Sequence, residues 1–430
     1  MSSGPTGLPS AGYRRYALGT LLTVYVFNFI DRSILSILAQ SIKEDLNLSD
    51  TELGFLGGIA FAVFYTFVGI PIARMADRGV RRNILAVCLT IWSGMTALCG
   101  FAQNFLQLLL ARIGVAVGEA GGSPPSHSMI SDLFPPASRA TALGIYALGI
   151  PIGTMIGNLA GGWINEEMSW RAAFMLVGFP GLVMAVLVRF TLREPERGAV
   201  EGLKVESADV PPVMEVFRHL WSRRSFRWMS FGAAFHAFVG YGVAAWIPPM
   251  FERSHGWTSA QIGTGLFFLG FFGILGTFTG GYFADRLGAR DVRWYMWLPA
   301  IATAASVPFA LFTYIWHDPF WALAVYSVPY VLGAYYLGPT FSMTQGLVGL
   351  RMRALASGIL LFILNIIGLG LGPQFVGILS DVLNLTTDLG EESLRWALVS
   401  VVAFNALAVW CYLKAAKTLK QDLARSQALS

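Results

Sequence analysis

The sequence predicts an all-α membrane protein, twelve transmembrane helices arranged as two pseudo-symmetric six-helix halves. Three observations predict it. Hydrophobic residues make up 55% of the 430 and charged residues 13%, with a mean hydropathy of +0.59, far from the soluble globular average. Apolar runs of about 20 residues or more recur from end to end, each long enough to cross roughly 30 Å of hydrocarbon. Short motifs also repeat at nearly one offset along the chain.

The spans are expected near 16–40, 51–74, 82–102, 105–133, 138–163, 170–192, 227–250, 258–284, 294–315, 319–348, 353–380 and 393–414. The first run is longer than a signal-peptide core and has no small-residue cleavage site, so it is read as a mature span. An even number puts both termini on one side, and lysine and arginine choose the side. Loops on the terminal side hold 24 of the 30, including Arg14, Arg74, Arg78, Arg81, Arg82, Arg290 and Arg293. The opposite loops hold Lys43, Arg171, Arg253 and Arg395, while Arg32 and Arg112 lie inside spans. The termini are therefore expected to be cytoplasmic, in a plasma or inner membrane. The net charge of +5 reports topology rather than nucleic-acid binding.

The domain plan follows. Residues 1–15 form a cytoplasmic segment, 16–192 the first half, 193–226 a polar linker, 227–415 the second half and 416–430 a tail. The linker, with "REPERGAVEGLKVESADVPP", is rich in charge and proline. "ADR" recurs at 76–78 and 284–286, "SM" at 128–129 and 342–343, and "RATALGI" at 139–145 against "RALASGI" at 353–359. Their offsets, 208 and 214, indicate a parallel duplication, a common transporter plan.

"VYVFNFIDRSILSIL" sets Asp31 beside Arg32 deep inside an apolar run, and a charge at the bilayer centre costs about 2.5–3.5 kcal/mol on insertion scales. Asp31 lies roughly 22 Å from the start of span one and Arg112 roughly 10 Å from the opposite surface, at 1.5 Å per residue. In a core about 30 Å thick these depths nearly coincide. Adjacent helix residues diverge by about 100°, so Asp31 and Arg32 cannot satisfy each other, and each needs a partner. Glu119 follows Arg112 by two turns on the same face.

An ion network pinning spans one and four is one reading. The other is a proton and headgroup site in a central cavity, since intramembrane ionisable groups default to function. Lipid burial and a nearby arginine act on the charge of Asp31 in opposite senses. Movement of Arg112 or arrival of substrate can then load or release its proton. Glu119 is the alternative coupling acid. Arg32, with its planar fork, suits a phosphate or carboxylate headgroup.

Two loops resemble a known signature. "ARMADRGVRR" and "GGYFADRLGAR" are similar to the loop motif of the major facilitator superfamily, although Gly79 follows Arg78 one place early. Arg112 with "GVAVGEA" resembles that superfamily's second motif, and "GIPIGTMIGNLAGG" its antiporter motif, with Ile150 interrupting the Gly-Pro pair. Within the superfamily the chain resembles the spinster lipid transporters. The similarity is carried by "NFIDR", "ARIGVAVGEAGGSPPSHSMISDLFPPASRATALGIYALGIPIG" and "LREPERGAVE". The resemblance implies the major facilitator fold. It also implies proton coupling through Asp31, Arg112 and Glu119, and substrate contacts from Arg32, Arg112 and Glu119.

His127, Tyr146, His236 and Tyr336 complete the candidate substrate residues. A lone membrane histidine is more often a packed hydrogen-bonding group. Asn365 and Gln374 are read as interhelical hydrogen-bonders. The second half carries no intramembrane charge apart from histidine, so its wall is expected to be apolar and to suit an amphiphile. A gate is expected in the loops. Asp77 would sit at the N-terminus of span eleven and Asp285 at that of span five, where helix dipoles favour anions, with Arg78, Arg82, Asp132, Arg139, Arg286 and Arg353 around them. Cys88, Cys99 and Cys411 are small packing residues.

No nucleotide motif, metal-ligand cluster or nucleophile constellation is present, so no cofactor is expected and the chain is not expected to be an enzyme. The expected function is secondary active transport by alternating access, proton-coupled, of a lysolipid- or sphingolipid-like amphiphile by a monomer with no nucleic-acid partner. The alternatives are a proton-coupled organic-anion or drug carrier and, outside transporters, a membrane receptor or scaffold.

Overall fold

A computed structural model describes residues 9–197, 212–349 and 352–427. Every regular element among the described residues is a helix. Among the described residues, twelve helices are long and apolar enough to cross a membrane. Spans one to six are Ala11–Ile37, Asp50–Arg78, Arg81–Cys99, Phe105–Leu133, Ala137–Glu167 and Trp170–Thr191. Spans seven to twelve are Arg224–His255, Ser259–Gly288, Trp294–Ile315, Pro319–Gly346, Arg353–Thr386 and Gly390–Ser426. Lipid tails are as apolar as leucine, so close packing and hydrogen bonds, not hydrophobicity, hold such helices together.

Three boundaries differ from expectation, each for a local reason. Span one begins five residues early, because the Ser10 hydroxyl caps it by accepting from the Tyr13 amide at 3.3 Å. Of the expected linker, residues 198–211 lie outside the described residues. Its last part is the helix Val213–Ser222, and span seven already starts at Arg224. Val213, Val216, Phe217, Leu220 and Trp221 recur at helical spacing, and Val216 and Leu220 are fully buried. The expected tail, in turn, continues span twelve as helix. Asp422 accepts from the amide and hydroxyl of Ser225, both at 2.8 Å, at the start of span seven. Lys420 reaches Asp291 at 3.1 Å. Hydrogen bonds from Arg293 hold the Asp291 carboxyl well below the usual carboxylate range.

The described residues fall into two compact units that do not follow chain order. The first takes those up to Asn47, Val63–Ala208 and Ser259–Phe267; the second takes Leu48–Ala62, Asp209–Thr258 and Phe268 onward. In the first unit span one packs on span five, and span three on spans four and six. Its core includes Leu21, Ile34, Leu89, Trp92, Val115 and Phe174. In the second, span seven packs on spans eleven and twelve, span nine on spans ten and twelve, and the start of span two on span eleven. Leu220, Phe226, Met229, Leu360 and Tyr412 fill that core. Span eleven is π-helical over Asn365–Leu371, next to Gly372 and Pro373. Wide turns of this kind recur at functional sites. Cys88, Cys99 and Cys411 are free and buried.

Candidate functional site

The charged site lies in the first unit and is assembled by spans one to four. Span four breaks where it matters. Its first helix, Phe105–Glu119, stops before Gly121 and Gly122, and the next, Ser123–Leu133, opens on Pro124 and Pro125. Proline has no N–H, so the carbonyls one turn before the pair lose their helical donors. Glu119 is thereby left at the negative end of a helix, where a carboxylate is disfavoured. It needs a cation. Arg32 of span one supplies it, donating from Nε to Glu119 Oε2 at 2.7 Å.

The height of Glu119 is set by its neighbour. A Cβ at Gly118 would stand 2.6 Å from the Trp92 amide nitrogen, so only glycine lets span four lie flush on span three. From the same face of span four, Arg112 Nη1 donates to the Asp31 backbone carbonyl at 3.4 Å. The Arg112 guanidinium and the Thr96 hydroxyl of span three flank the Asp31 carboxylate. Asp31 and Arg32 thus face different partners, as their 100° separation demands.

Two acids and two arginines make the quartet neutral, which is what allows it to be buried at all. Its members are not equally sealed. Asp31 and Arg112 are 2% exposed and Glu119 1%, whereas the Arg32 side chain keeps 19% exposure. The Arg32 guanidinium also lies 4.4 Å from the ring centre of Tyr65 and 5.1 Å from that of Phe29. Aromatic faces hold a cation without neutralising it.

Sequence reading missed Tyr65, Thr96 and Asn28, the last placed beside Glu119. Asn28 carried a usable signal, since it precedes Arg32 by four residues and so shares its face. Tyr65 and Thr96 carried none, being ordinary residues for an apolar helix.

The other candidates separate. In the first unit Tyr146 stacks on Tyr25 at 4.3 Å between ring centres, and His127 meets its edge at 5.2 Å. In the second, His236 Nε2 lies 3.0 Å from the Gly333 carbonyl and Nδ1 2.9 Å from the Thr303 hydroxyl. A carbonyl only accepts, so Nε2 carries the proton. Tyr336 lies 4.2 Å from the imidazole ring. His236 ties spans seven, nine and ten together where span ten breaks between Gly333 and Leu337. Gln374 donates to the Thr51 carbonyl at 3.2 Å.

Among the expected gate residues, Asp77, Arg78, Asp285, Arg286 and Arg353 are exposed. Asp285 accepts from the Tyr295 hydroxyl at 3.0 Å, and Arg286 donates to that of Tyr282 at 3.1 Å. Arg139 donates to the Ser131 carbonyl at 2.8 Å. Arg82 donates from its amide to Glu194 at 2.9 Å and from Nη1 to the Leu192 carbonyl at 3.0 Å. The hub, however, is Arg81, which is not among the expected gate residues. Fully buried, it pairs with Asp132, with Glu194 at 2.7 Å and with Ser128 at 2.7 Å. It also donates to the Pro195 carbonyl at 2.7 Å. Arg74 and Arg78 line an open pocket of about 560 Å³ beside this loop.

Residues 21–373 match the family profile described as Major Facilitator Superfamily. An MFS-type efflux pump of Mycolicibacterium smegmatis is 35% identical over 95% of this chain and 94% of its own. Protein spinster homolog 1 of Xenopus tropicalis is 24% identical over 98% of this chain and 85% of its own. Among solved structures, a bacterial homologue of the human lysosomal transporter spinster, inward-facing and unoccupied, superimposes with a TM-score of 0.87. It shares 32% identity, with 96% of this chain and 99% of that one covered. Twelve membrane helices, a buried charge quartet and these likenesses over nearly the whole length make one conclusion: this chain is an integral membrane transporter of the major facilitator superfamily, with spinster proteins among its relatives.

Proposed function

We propose that the chain moves an amphiphile with an anionic headgroup, lysolipid- or sphingolipid-like, across a plasma or inner membrane by proton-coupled alternating access, as a monomer with cytoplasmic termini. The observation that carries this reading is the uneven sealing of a neutral quartet. Arg32 is its reachable member, and it is already engaged by a buried acid. An arriving phosphate or carboxylate takes Arg32 from Glu119. Removing one partner from a buried ion pair costs about 3–5 kcal/mol, and a proton on Glu119 relieves that cost. Anion and proton are then favoured together on one face of the carrier. Asp31, beside Arg112, is the second acid that protonation switches. His127, Tyr146, His236 and Tyr336 supply polar and aromatic contacts for the rest of the amphiphile. Asp77 and Asp285, both exposed, serve with their neighbouring arginines to close the cytoplasmic side, each taking up a helix N-terminus when that side shuts.

Purified protein in liposomes tests this. Uptake of an anionic lysophospholipid should rise with an imposed pH gradient and carry protons in the same direction. A second reading is an organic-anion or drug carrier, and the Mycolicibacterium efflux pump favours it. Drug-driven proton movement in the opposite direction, with no response to lysophospholipid, would establish that reading and overturn the first.

A further inference from the structure

We infer that spans seven and twelve, where they end on the face of the chain termini, form a seam that holds the phosphate of an anionic phospholipid, with Arg224, Lys414 and Lys417 as its cations and Trp228 and Trp410 as its floor. Register brings these residues together. The two spans run antiparallel, with Ser225 bonded to Asp422 and Gly232 against Tyr412 and Ala408. Arg224 therefore comes level with the turn around Lys417, and Trp228 with that around Lys414. Residues spaced by four and by seven share a helix face. Trp228 follows Arg224 by four, and Lys414 and Lys417 follow Trp410 by four and seven.

The side chains meet as that spacing requires. The Trp228 and Trp410 rings pack edge to face, 4.8 Å between centres, and the Lys414 ammonium lies 5.4 Å from the centre of the Trp410 ring. Trp410 is 48% exposed, so the seam is open at the surface. Tryptophan settles at the level of the lipid headgroups. Arg224 and Lys414 lie one turn further out, roughly 6 Å at 1.5 Å per residue, where a lipid carries its phosphate. The planar fork of Arg224 fits phosphate oxygens in pairs, and the two lysines add point charges.

These cations lack an anion of their own. Among the described residues Arg224, Lys414 and Lys417 make no ion pair, and the nearby acids are engaged elsewhere: Asp422 by Ser225, and Asp291 by Arg293 and Lys420. Arg223, beside the seam at the joint with the helix Val213–Ser222, is 8% exposed, yet its Nε has no hydrogen-bond partner among the described residues. A buried cation without an anion is costly, and a phosphate in the seam lowers that cost. Topology asks only for basic residues near the ends of spans. It does not ask that they align across two helices, 190 residues apart in sequence, and rest on two tryptophans. A soluble anion would gain from the cations but not from the tryptophans, which favours the lipid.

The test is tryptophan quenching by brominated lipid, with the full-length protein in phosphatidylcholine vesicles. Bromine on a lipid chain quenches the tryptophans that the lipid touches. The chain has 13 tryptophans, so the readout is the quenching that Trp410→Phe removes; should that variant fail to fold, Trp410→Tyr gives the same subtraction. Brominated phosphatidylglycerol should be preferred over brominated phosphatidylcholine by about tenfold or more. Arg224→Gln, Lys414→Gln and Lys417→Gln should each lower the preference about fivefold, the loss of one cation beside an anionic headgroup. Lys414→Arg should keep it, and Lys420→Gln, whose charge Asp291 already holds, should change it by less than about twofold. Equal quenching by the two lipids, or a preference that all three glutamine variants leave intact, would overturn the proposal. Displacement of the phosphatidylglycerol by millimolar inorganic phosphate would also overturn it, by giving the site to a soluble anion. Transport takes no part in the readout, so failure of the lysolipid reading would leave the outcome untouched.

Discussion

Glu119→Gln isolates the step on which the proposed coupling depends. The side chain keeps its shape and one acceptor for Arg32 Nε, now 2.7 Å from Glu119 Oε2, but the quartet changes from neutral to one net positive charge. Breaking a sealed ion pair costs about 3–5 kcal/mol, and an exposed pair contributes about 0–1. Here one partner is sealed and the other 19% exposed. Tyr65 and Phe29 continue to support the cation by about 0.5–1 kcal/mol each. The retained hydrogen bond is worth about 1 kcal/mol more. The pair's loss therefore comes to about 2 kcal/mol. In the proposed exchange, that same energy is what an incoming anion would spend to displace Glu119 in the wild type. Removing it should tighten binding about thirtyfold. No acid then remains there to take the accompanying proton, so a pH gradient should no longer drive uptake. Two measurements on purified protein suffice: equilibrium binding of an anionic lysophospholipid, and pH-driven uptake in liposomes. Unaltered affinity with wild-type proton coupling would refute the exchange of Glu119 for substrate on Arg32.

Four further outcomes are expected. Arg32→Ala should abolish transport of anionic amphiphiles at wild-type expression, because the stranded Glu119 can be neutralised by protonation; this is read by uptake and by membrane protein yield. Asp31→Asn, which mimics the protonated acid, should retain binding and lose pH-gradient-driven transport, measured as proton flux per substrate. Asp77→Asn and Asp285→Asn should each favour the inward-open state if they take up helix ends in the closed state as proposed, a contact of up to about 1 kcal/mol, seen as widening at the cytoplasmic mouth. Arg81→Ala should destabilise the protein by about 1–3 kcal/mol, since it removes the buried cation that the partly exposed Asp132 and Glu194 share. Arg82→Ala should cost far less in the same thermal-unfolding assay.

The fold was legible because the bilayer restricts it. Twelve apolar runs and a charge bias admit few architectures, and a duplication read from three short motifs halves the problem. Asp31 and Arg112 were legible as a group because equal depth on antiparallel helices is arithmetic. The partner of Arg32 was not. Glu119 shares a helix face with Arg112, and its spacing names no partner for Arg32; the helix break at Gly121–Pro125 leaves Glu119 at a helix end facing Arg32. Arg81 was passed over for a related reason. "RGVRR" offers three arginines, and burial of the middle one depends on Asp132 and Glu194, 51 and 113 residues away. The helix Val213–Ser222 was legible in its apolar spacing but was masked by the charge and proline just before it.

The neutral quartet also bears on why this carrier can cycle at all. A carrier works only if its two open states lie within a few kcal/mol of each other, because a ligand shifts the equilibrium by no more than its differential affinity. A net charge buried in one state and hydrated in the other would exceed that margin. Asp31, Arg32, Arg112 and Glu119 avoid this by cancelling among themselves within one unit. The quartet's cost then enters both states nearly equally. What remains to bias the cycle is the occupancy of Arg32 and the protonation of its neighbours, each worth about 1–3 kcal/mol in allosteric couplings of ordinary size. On the proposed reading, exposure of Arg32 alone is thus the economical arrangement: one reachable cation would bind the substrate, and the sealed acid behind it would take up a proton in response.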